Sequence, residues 1–301
     1  MSGAADARWR RGAADVGGAT LHWIEAGSGP LVVLLHGFPD SPHGWRHQLP
    51  ALADAGYRAV APWLRGYGPS SRPARVDAYR LEPLAADVEG LVRALGADRA
   101  AAVVGHDWGG AIAWRLAATR PDLVERLVVV NSPHPASLRR VLRSPRQMVR
   151  SSYMLFFQLP WLPERLLARR GLAPVRTAVA REVRRPGAFG RAEWEPQREA
   201  LAAPGALRGA INYYRAAARQ LLRGRPDAGV GGGVVAAPTL VLWGERDSFL
   251  LPELAERQRA HAARVVVRRF PEAGHWVHWD EPEGVNAALV GWLRENADGG
   301  R

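Results

Sequence analysis

The sequence contains no cysteine and no lysine, and no apolar run of the ~18 residues that a membrane-spanning helix requires. Without cysteine the chain can form no disulfide, thiol nucleophile or thiolate metal site. Residues 1–11 also lack the apolar stretch of a signal peptide. We therefore expect no membrane partner and a cytoplasmic location. The 301 residues, 47% of them hydrophobic, suffice for a large globular core.

The absence of lysine leaves arginine to carry the positive charge. Lysine and arginine together number 41 against 29 acidic residues, which gives a net charge of +12. The excess is concentrated in residues 133–225, which hold 19 arginines and 5 glutamates. Such a segment could bind nucleic acid or another anionic partner. Because it carries no recognition motif, we interpret it as a solvated basic face and expect no nucleic-acid partner.

Strand-like apolar segments alternate with helical patterns over the first 132 residues, after a small, polar start (1–14) that we expect to be frayed. This alternation predicts parallel pairing with right-handed crossovers, and hence an α/β fold with a doubly wound, mostly parallel sheet. In such sheets the site lies beyond the carboxyl ends of the strands, where His36, Asp107 and Asn131 stand. The predicted strands are residues 20–25, 31–35, 58–61, 100–104 and 127–130.

The alternation stops at Pro133. Residues 135–223 carry helix-like patterns without a clear strand, and residues 224–233 resemble a flexible return linker. Strand and helix patterns then resume at 238–243, 265–267 and 283–296. The sequence therefore predicts a core made of residues 1–132 and 233–301, split by an all-helical cap with its linker at 133–232.

The segment Gly105-His106-Asp107-Trp108-Gly109 has the G-x-nucleophile-x-G spacing of a nucleophile elbow, between a predicted strand and a predicted helix. Its central residue is Asp107, whose carboxylate is ionised at neutral pH. Attack by a carboxylate on a saturated carbon gives an ester, which water can cleave to regenerate the carboxylate. The substrate should therefore be an epoxide or an alkyl halide. The alternative is that Asp107 only caps the following helix.

An aspartyl nucleophile needs an oxyanion hole and a base. After the strand at 31–35, the turn at Gly37 can present the Phe38 N–H, and the Trp108 N–H would be the second donor. His275 follows a strand and precedes the terminal helix, where a loop can place an imidazole beside the elbow. Three further histidines are expected to form hydrogen bonds in loops and core: His36, His106 and His278.

The third member of the triad is an acid that orients His275. Asp247 follows the strand that ends at Trp243, and the order nucleophile, acid, histidine is that of α/β-hydrolases. Glu245 and Asp280 are rivals for this role. We favour Asp247, because Glu245 lies nearer the strand end and Asp280 is expected on a surface turn.

These motifs resemble those of the α/β-hydrolase-fold epoxide hydrolases, over about residues 20–295. Haloalkane and haloacetate dehalogenases share the superfamily and the Asp-His-Asp triad, so the motifs specify the superfamily better than the reaction. The resemblance implies an α/β-hydrolase fold and a reaction without cofactor or metal. The matching motifs are residues 36–40, 65–68, 105–110, 244–247 and 274–276.

Two tyrosines in the cap favour the epoxide reaction. Opening an epoxide leaves negative charge on oxygen, and a phenol can donate a proton to it. Epoxide hydrolases of this family use two cap tyrosines, which the resemblance places at Tyr153 and Tyr214. The position of the second tyrosine could differ by one residue, and we favour Tyr214, with Tyr213 as a packing residue. Family dehalogenases often have Asn where this chain has Phe38, and haloacetate dehalogenases have an arginine clamp where it has Trp108 and Ala111.

The interpretation is an enzyme that converts a small-molecule epoxide and water into a vicinal diol, as a monomer or homodimer. A haloalkane or haloacetate dehalogenase is the alternative, and a non-catalytic fold whose basic cap binds an anionic partner is a distant one. An apolar pocket would accept an apolar substituent. The pocket candidates are His36, Pro39, Phe157, Phe249, Leu250 and Trp276.

Overall fold

The computed structural model describes residues 9–142, 144–224 and 234–296. Within them, eight strands form one sheet in the order β1-β2-β4-β3-β5-β6-β7-β8. The pairs β1–β2 and β2–β4 are antiparallel and all pairs from β4 to β8 are parallel, which confirms the predicted mostly parallel sheet. The strands are Arg10–Asp15 (β1), Thr20–Ala26 (β2), Leu31–Leu35 (β3), Arg58–Pro62 (β4), Ala102–His106 (β5), Leu127–Val130 (β6), Thr239–Gly244 (β7) and Val265–Phe270 (β8).

Strand β1 corrects the expectation that the first 14 residues are frayed. Arg10–Asp15 pairs with β2 along its whole length. The Arg10 side chain donates to Glu25 at 3.0 Å, and Gly12 lies against the Trp23 ring, where a Cβ would come within 2.2 Å of it. As an edge strand with no buried residue, β1 lacks the apolar run that identifies the central strands.

Helices cover both faces of the sheet, and alternate residues of the central strands point to opposite faces. Val33 packs with Ile112 in one core, whereas Val32 packs with Leu289 in the other. No helix in the described ranges is both long and apolar enough to cross a bilayer. The helices are Gln48–Asp54 (α1), Leu81–Ala94 (α2), Trp108–Thr119 (α3), Pro135–Val141 (α4), Pro145–Arg150 (α5), Ser152–Phe156 (α6), Leu162–Leu167 (α7), Arg169–Glu182 (α8), Arg191–Ala202 (α9), Ala206–Leu222 (α10), Leu254–Arg257 (α11), Val277–Asp280 (α12) and Pro282–Glu295 (α13), with 3₁₀ turns at Pro42–Trp45, Val76–Tyr79 and Gln258–Ala260.

The parallel register brings the ends of the central strands to one edge of the sheet. Leu35 pairs with Gly105, and His106 pairs with Val130. The residues that follow these strands, His36, Asp107 and Asn131, therefore stand side by side at the carboxyl edge, as expected for an α/β sheet.

In its described residues the segment between β6 and β7 contains the helices α4 to α10 and no strand longer than a single bridge, which confirms the predicted helical insertion. It packs onto the core through α10, where the Tyr213 hydroxyl donates to the Arg65 carbonyl at 2.7 Å. The domain boundaries at residues 132 and 232 remain predictions. The expected return linker falls almost wholly on residues 225–233, outside the described residues.

Candidate active site

Asp107 occupies a sharp turn between β5 and α3, with φ of +50° and ψ of −119°. A non-glycine residue in such a conformation costs about 1–3 kcal/mol and persists only where the surroundings enforce it. The flanking residues Gly105 and Gly109 must be glycine, because the turn leaves no space for a side chain at either position. A Cβ at Gly105 would lie 2.3 Å from the Gly109 carbonyl oxygen, and one at Gly109 would lie 2.1 Å from that of Leu35. The turn is therefore a close-packed elbow, as the spacing predicts.

The Asp107 carboxylate makes no capping hydrogen bond to α3, which argues against a purely structural role. Its Oδ1 accepts the Phe38 N–H at 2.9 Å. Burial raises the pKa of Asp107, while the charge of His275 and the amides of Phe38 and Trp108 act to lower it. Its side chain keeps 19% exposure, and it lines a cavity. One oxygen is thus held by a backbone amide while the other, Oδ2, is open to a ligand.

His275 lies between two carboxylates. Its Nδ1 is 2.7 Å from Oδ2 of Asp247, and its Nε2 is 3.8 Å from Oδ2 of Asp107. Burial alone would lower the pKa of His275, but the charges of Asp247 and Asp107 and the hydrogen bond to Asp247 raise it to about 9. As long as Asp247 and Asp107 carry their negative charges, the imidazole is therefore protonated at neutral pH.

Asp247 is fully engaged as an acceptor. Its Oδ1 accepts the amides of Phe249 and Leu250 at 2.7 and 3.0 Å, and its Oδ2 accepts the Asn131 side chain at 2.8 Å as well as His275. These contacts fix the carboxylate, and through it the imidazole, in one orientation. Sequence reasoning found no role for Asn131, although its position at a strand end is the available signal.

The two rival acids lie elsewhere. Glu245 forms an ion pair with Arg269 at 2.8 Å. The expectation that Asp280 lies on a surface turn is wrong, because its side chain is buried and accepts three backbone amides at 2.7–3.0 Å. Those amides belong to Arg184, Arg185 and Gly274, so Asp280 joins the cap to the loop that carries His275.

Four tyrosines line the cavity that contains Asp107 and His275: Tyr79, Tyr153, Tyr213 and Tyr214. Burial raises the pKa of Tyr153 and Tyr214, and the Asp107 charge raises both further, so both phenols are protonated near that carboxylate. The two rings lie 5.8 Å apart, centre to centre. Tyr213 differs, because its hydroxyl already donates to the Arg65 carbonyl.

The cavity has a volume of about 450 Å³. Of the predicted pocket residues, Phe249 and Leu250 line it. The others stand behind its wall, because their side chains are buried against neighbouring groups. These residues are Phe157, which contacts the rings of Phe38 and Tyr214; Trp276, which stacks on Trp279; His36, which accepts the Leu64 amide; and the buried Pro39.

Much of the cavity wall comes from the cap and was not identified from sequence. Helices α4, α5, α6 and α10 supply apolar side chains whose patterns resemble those of ordinary amphipathic helices. Which of their faces meets the elbow depends on how the helices pack. The unpredicted residues include Leu138, Leu142, Met148, Met154, Leu155, Ala218 and Leu221.

A second buried cluster of titratable side chains lies behind His275. Atoms of Asp40, His106 and His278 lie within 4.8 Å of one another, which is a spacing that could hold a metal ion. Burial raises the pKa of Asp40 to about 7. Burial and then the charge of Arg46 lower the pKa of His278, and the same charge disfavours a cation here. We expected His278 to form hydrogen bonds, but neither of its ring nitrogens has a hydrogen-bond partner among the described residues.

Known proteins resemble the chain over most of its length. Residues 30–282 match the model of the α/β-hydrolase fold family. The chain is 39% identical over 280 residues to the AB hydrolase superfamily protein YfhM of Bacillus subtilis, covering 92% of this chain and 95% of that one. It is 36% identical over 286 residues to epoxide hydrolase 4 of Mus musculus, covering 92% and 77%. The solved structure of a Bacillus megaterium epoxide hydrolase in complex with an inhibitor matches with a TM-score of 0.83 and 27% identity, covering 94% of this chain and 100% of that one.

Proposed function

The chain belongs to the α/β-hydrolase fold family, and we propose that it is an epoxide hydrolase, which converts an epoxide and water into a vicinal diol. Relatives and structural neighbours that bear this name support the proposal. The observation that carries it is the pair of protonated phenols, Tyr153 and Tyr214, in the same cavity as the Asp107 carboxylate.

In the first step, Oδ2 of Asp107 attacks the less hindered epoxide carbon. The carbon–oxygen bond of the ring breaks and its electrons pass to the epoxide oxygen. Tyr153 and Tyr214 hydrogen-bond that oxygen, and one phenol proton neutralises it. The product is an alkyl ester whose carbonyl oxygen is Oδ1, already placed at the Phe38 amide.

In the second step, His275 activates the water that cleaves the ester. The Asp107 charge is lost when the ester forms, so one of the interactions that raise the pKa of His275 disappears. The imidazole then passes its proton to the tyrosinate left by the first step and accepts one from water, and the hydroxide attacks Cγ of Asp107. The Phe38 and Trp108 amides stabilise the oxyanion. Collapse breaks the bond between Cγ and the alkoxide oxygen, and the alkoxide takes the His275 proton and leaves as the diol. The carboxylic acid of Asp107 then gives its proton to His275, which restores the carboxylate and the imidazolium.

The phenols also bear on the dehalogenase alternative. A halide leaves as a stable anion and needs N–H donors rather than a proton. The indole ring of Trp108 lies 5.1 Å from the ring of Tyr214, centre to centre, so it faces a phenol. This arrangement supports an epoxide as the substrate.

The test is a panel of epoxides beside a panel of haloalkanes, assayed on the wild type, Asp107→Ala and a Tyr153→Phe/Tyr214→Phe double variant. We expect diol formation that Asp107→Ala abolishes, and no halide release. Halide release without diol formation would establish the dehalogenase. No turnover on either panel, with retention on heparin that falls steeply with salt, would favour the binding protein.

A further inference from the structure

The mouth of the cavity is apolar and exposed. Met148, Leu155 and Leu221 line the cavity, yet more than half of each side chain is exposed, so they stand at its opening. Their sequence neighbours Val149 and Leu222 are 74% and 85% exposed. We call these five residues the apolar rim. Exposed apolar clusters of this kind mark interaction surfaces rather than ordinary solvated surface.

The rim is confined to the cap. In the described part of the chain, Val234 is the one large hydrophobic residue outside the cap that is comparably exposed. The rim comes from the ends of three helices, α5, α6 and α10, whose apolar side chains here face outward rather than into a core. Folding alone therefore does not account for these side chains.

Positive charge surrounds the rim. Residues 139–163 and 200–224, which contain it, include no acidic residue. Exposed arginines near the rim include Arg139 on α4, which lines the cavity, and Arg219 on α10, two positions before Leu221. The acidic neighbours from other elements already have partners: Glu253 pairs with Arg146 at 3.2 Å, Asp77 pairs with Arg223 at 3.8 Å, and Glu82 accepts from the Gln220 side chain at 3.4 Å.

We propose that the apolar rim docks the enzyme onto an anionic phospholipid surface, with the cavity mouth against the lipid. Apolar side chains flanked by basic ones are the chemistry of proteins that lie on a membrane rather than span it. A second copy of the chain would bring arginine against arginine, and nucleic acid offers phosphates but no partner for aliphatic side chains. Docking would deliver epoxides dissolved in the bilayer directly to the cavity.

The test uses Asp107→Ala protein, so that binding is measured without turnover and independently of the proposed reaction. Vesicles of phosphatidylcholine with an equal part of phosphatidylglycerol are sedimented with the protein, beside vesicles of phosphatidylcholine alone. We expect binding to the anionic vesicles, and a loss of about tenfold or more in a Val149→Asp/Leu222→Asp background. Neither of these residues lines the cavity.

Matched controls separate the rim from general adsorption. Val234→Asp changes a residue of 62% exposure outside the cap, and it should leave binding unchanged. Arg219→Gln should weaken binding, whereas Arg294→Gln on α13 should not. Unchanged melting temperatures would show that the variants fold. Equal binding by the rim variant and Val234→Asp, no binding to anionic vesicles, or a solution dimer that only the rim variant dissociates would each overturn the proposal.

Discussion

Nε2 of His275 lies 3.8 Å from Oδ2 of Asp107, beyond hydrogen-bond reach, while its Nδ1 lies 2.7 Å from Asp247. The imidazole is thus anchored on one side and only electrostatically coupled on the other. In the proposed mechanism Oδ2 would keep its lone pairs for attack, because it makes no hydrogen bond to His275, and the imidazole would stay close to the Cγ that water attacks. This asymmetry would separate the proposed nucleophile from the proposed base.

His275→Gln should allow ester formation and block ester hydrolysis. The amide keeps a polar side chain at the site but cannot take a proton from water. Turnover should fall about 10²–10⁴-fold, and intact-mass spectrometry should show a one-to-one adduct of protein plus epoxide on the peptide that contains Asp107. Asp107→Ala should show no adduct. Wild-type turnover in His275→Gln would remove the histidine from the mechanism.

Asp107→Asn should lower the pKa of His275 from about 9, because it removes one of the charges that raise it. The amide also imitates the neutral ester, so the hydrolysis step should accelerate with rising pH through this lower pKa. Nuclear magnetic resonance titration of the His275 ring measures the change. Glu245→Gln is the matched control, since that carboxylate pairs with Arg269 instead. An unchanged pKa in Asp107→Asn would contradict the coupling.

The same histidine makes stability depend on pH. Its folded pKa of about 9 exceeds the ordinary value of 6.5, so its contribution is complete below pH 6.5 and is lost as the pH rises through about 9. Denaturant titrations should show the wild type losing more stability over this interval than His275→Gln. Parallel pH curves for the two proteins would contradict this sign.

The cap tyrosines should affect ester formation and not ester hydrolysis. Replacing both Tyr153 and Tyr214 by Phe should slow formation about 10²–10⁴-fold, measured by rapid mixing with excess enzyme. Tyr213→Phe is the control, since it removes only the hydrogen bond to the Arg65 carbonyl. It should cost about 1 kcal/mol of stability and leave ester formation near the wild-type rate. A double variant that forms ester at the wild-type rate would exclude the phenols as proton donors.

The buried ion pair between Arg65 and Asp87 should support the loop beneath the cap. Two hydrogen bonds of 2.7 and 2.5 Å join them. Asp87→Ala leaves a buried guanidinium without its partner and should lower the free energy of unfolding by about 3–5 kcal/mol. Glu283→Ala, which removes an exposed pair with Arg185, should have no measurable effect. Equal stability of the two variants would contradict this assignment.

The features that could be predicted most accurately from the sequence are those that depend on short-range geometry. The elbow around Asp107 and the apolar runs of the central strands follow from glycine spacing and two-sided burial, which a short window of residues contains. Strand β1 was missed because an edge strand has no such pattern. Asp280 was misplaced because two of the amides that it accepts belong to Arg184 and Arg185, which follow α8 and lie far from it in the sequence.

The partner of Asp247 and the cavity wall required the fold. Asn131 meets Asp247 only because β6 and β7 are adjacent, although 116 positions separate the two residues. Phe157 and Trp276 are aromatic residues of segments that the sequence places near the site, yet their side chains pack behind the cavity wall. Leu155 and Leu221 form the mouth of the cavity instead. Helical periodicity shows which residues share a face but not what that face meets.

The central claim is that Asp107 attacks the substrate and that water attacks Asp107. A single turnover in ¹⁸O-labelled water, with enzyme in excess over epoxide, tests it most directly. The account predicts an unlabelled diol in the first turnover and ¹⁸O in the carboxylate of Asp107, found by mass spectrometry of its peptide. A first-turnover diol that already carries ¹⁸O would mean direct attack by water and would contradict the covalent mechanism.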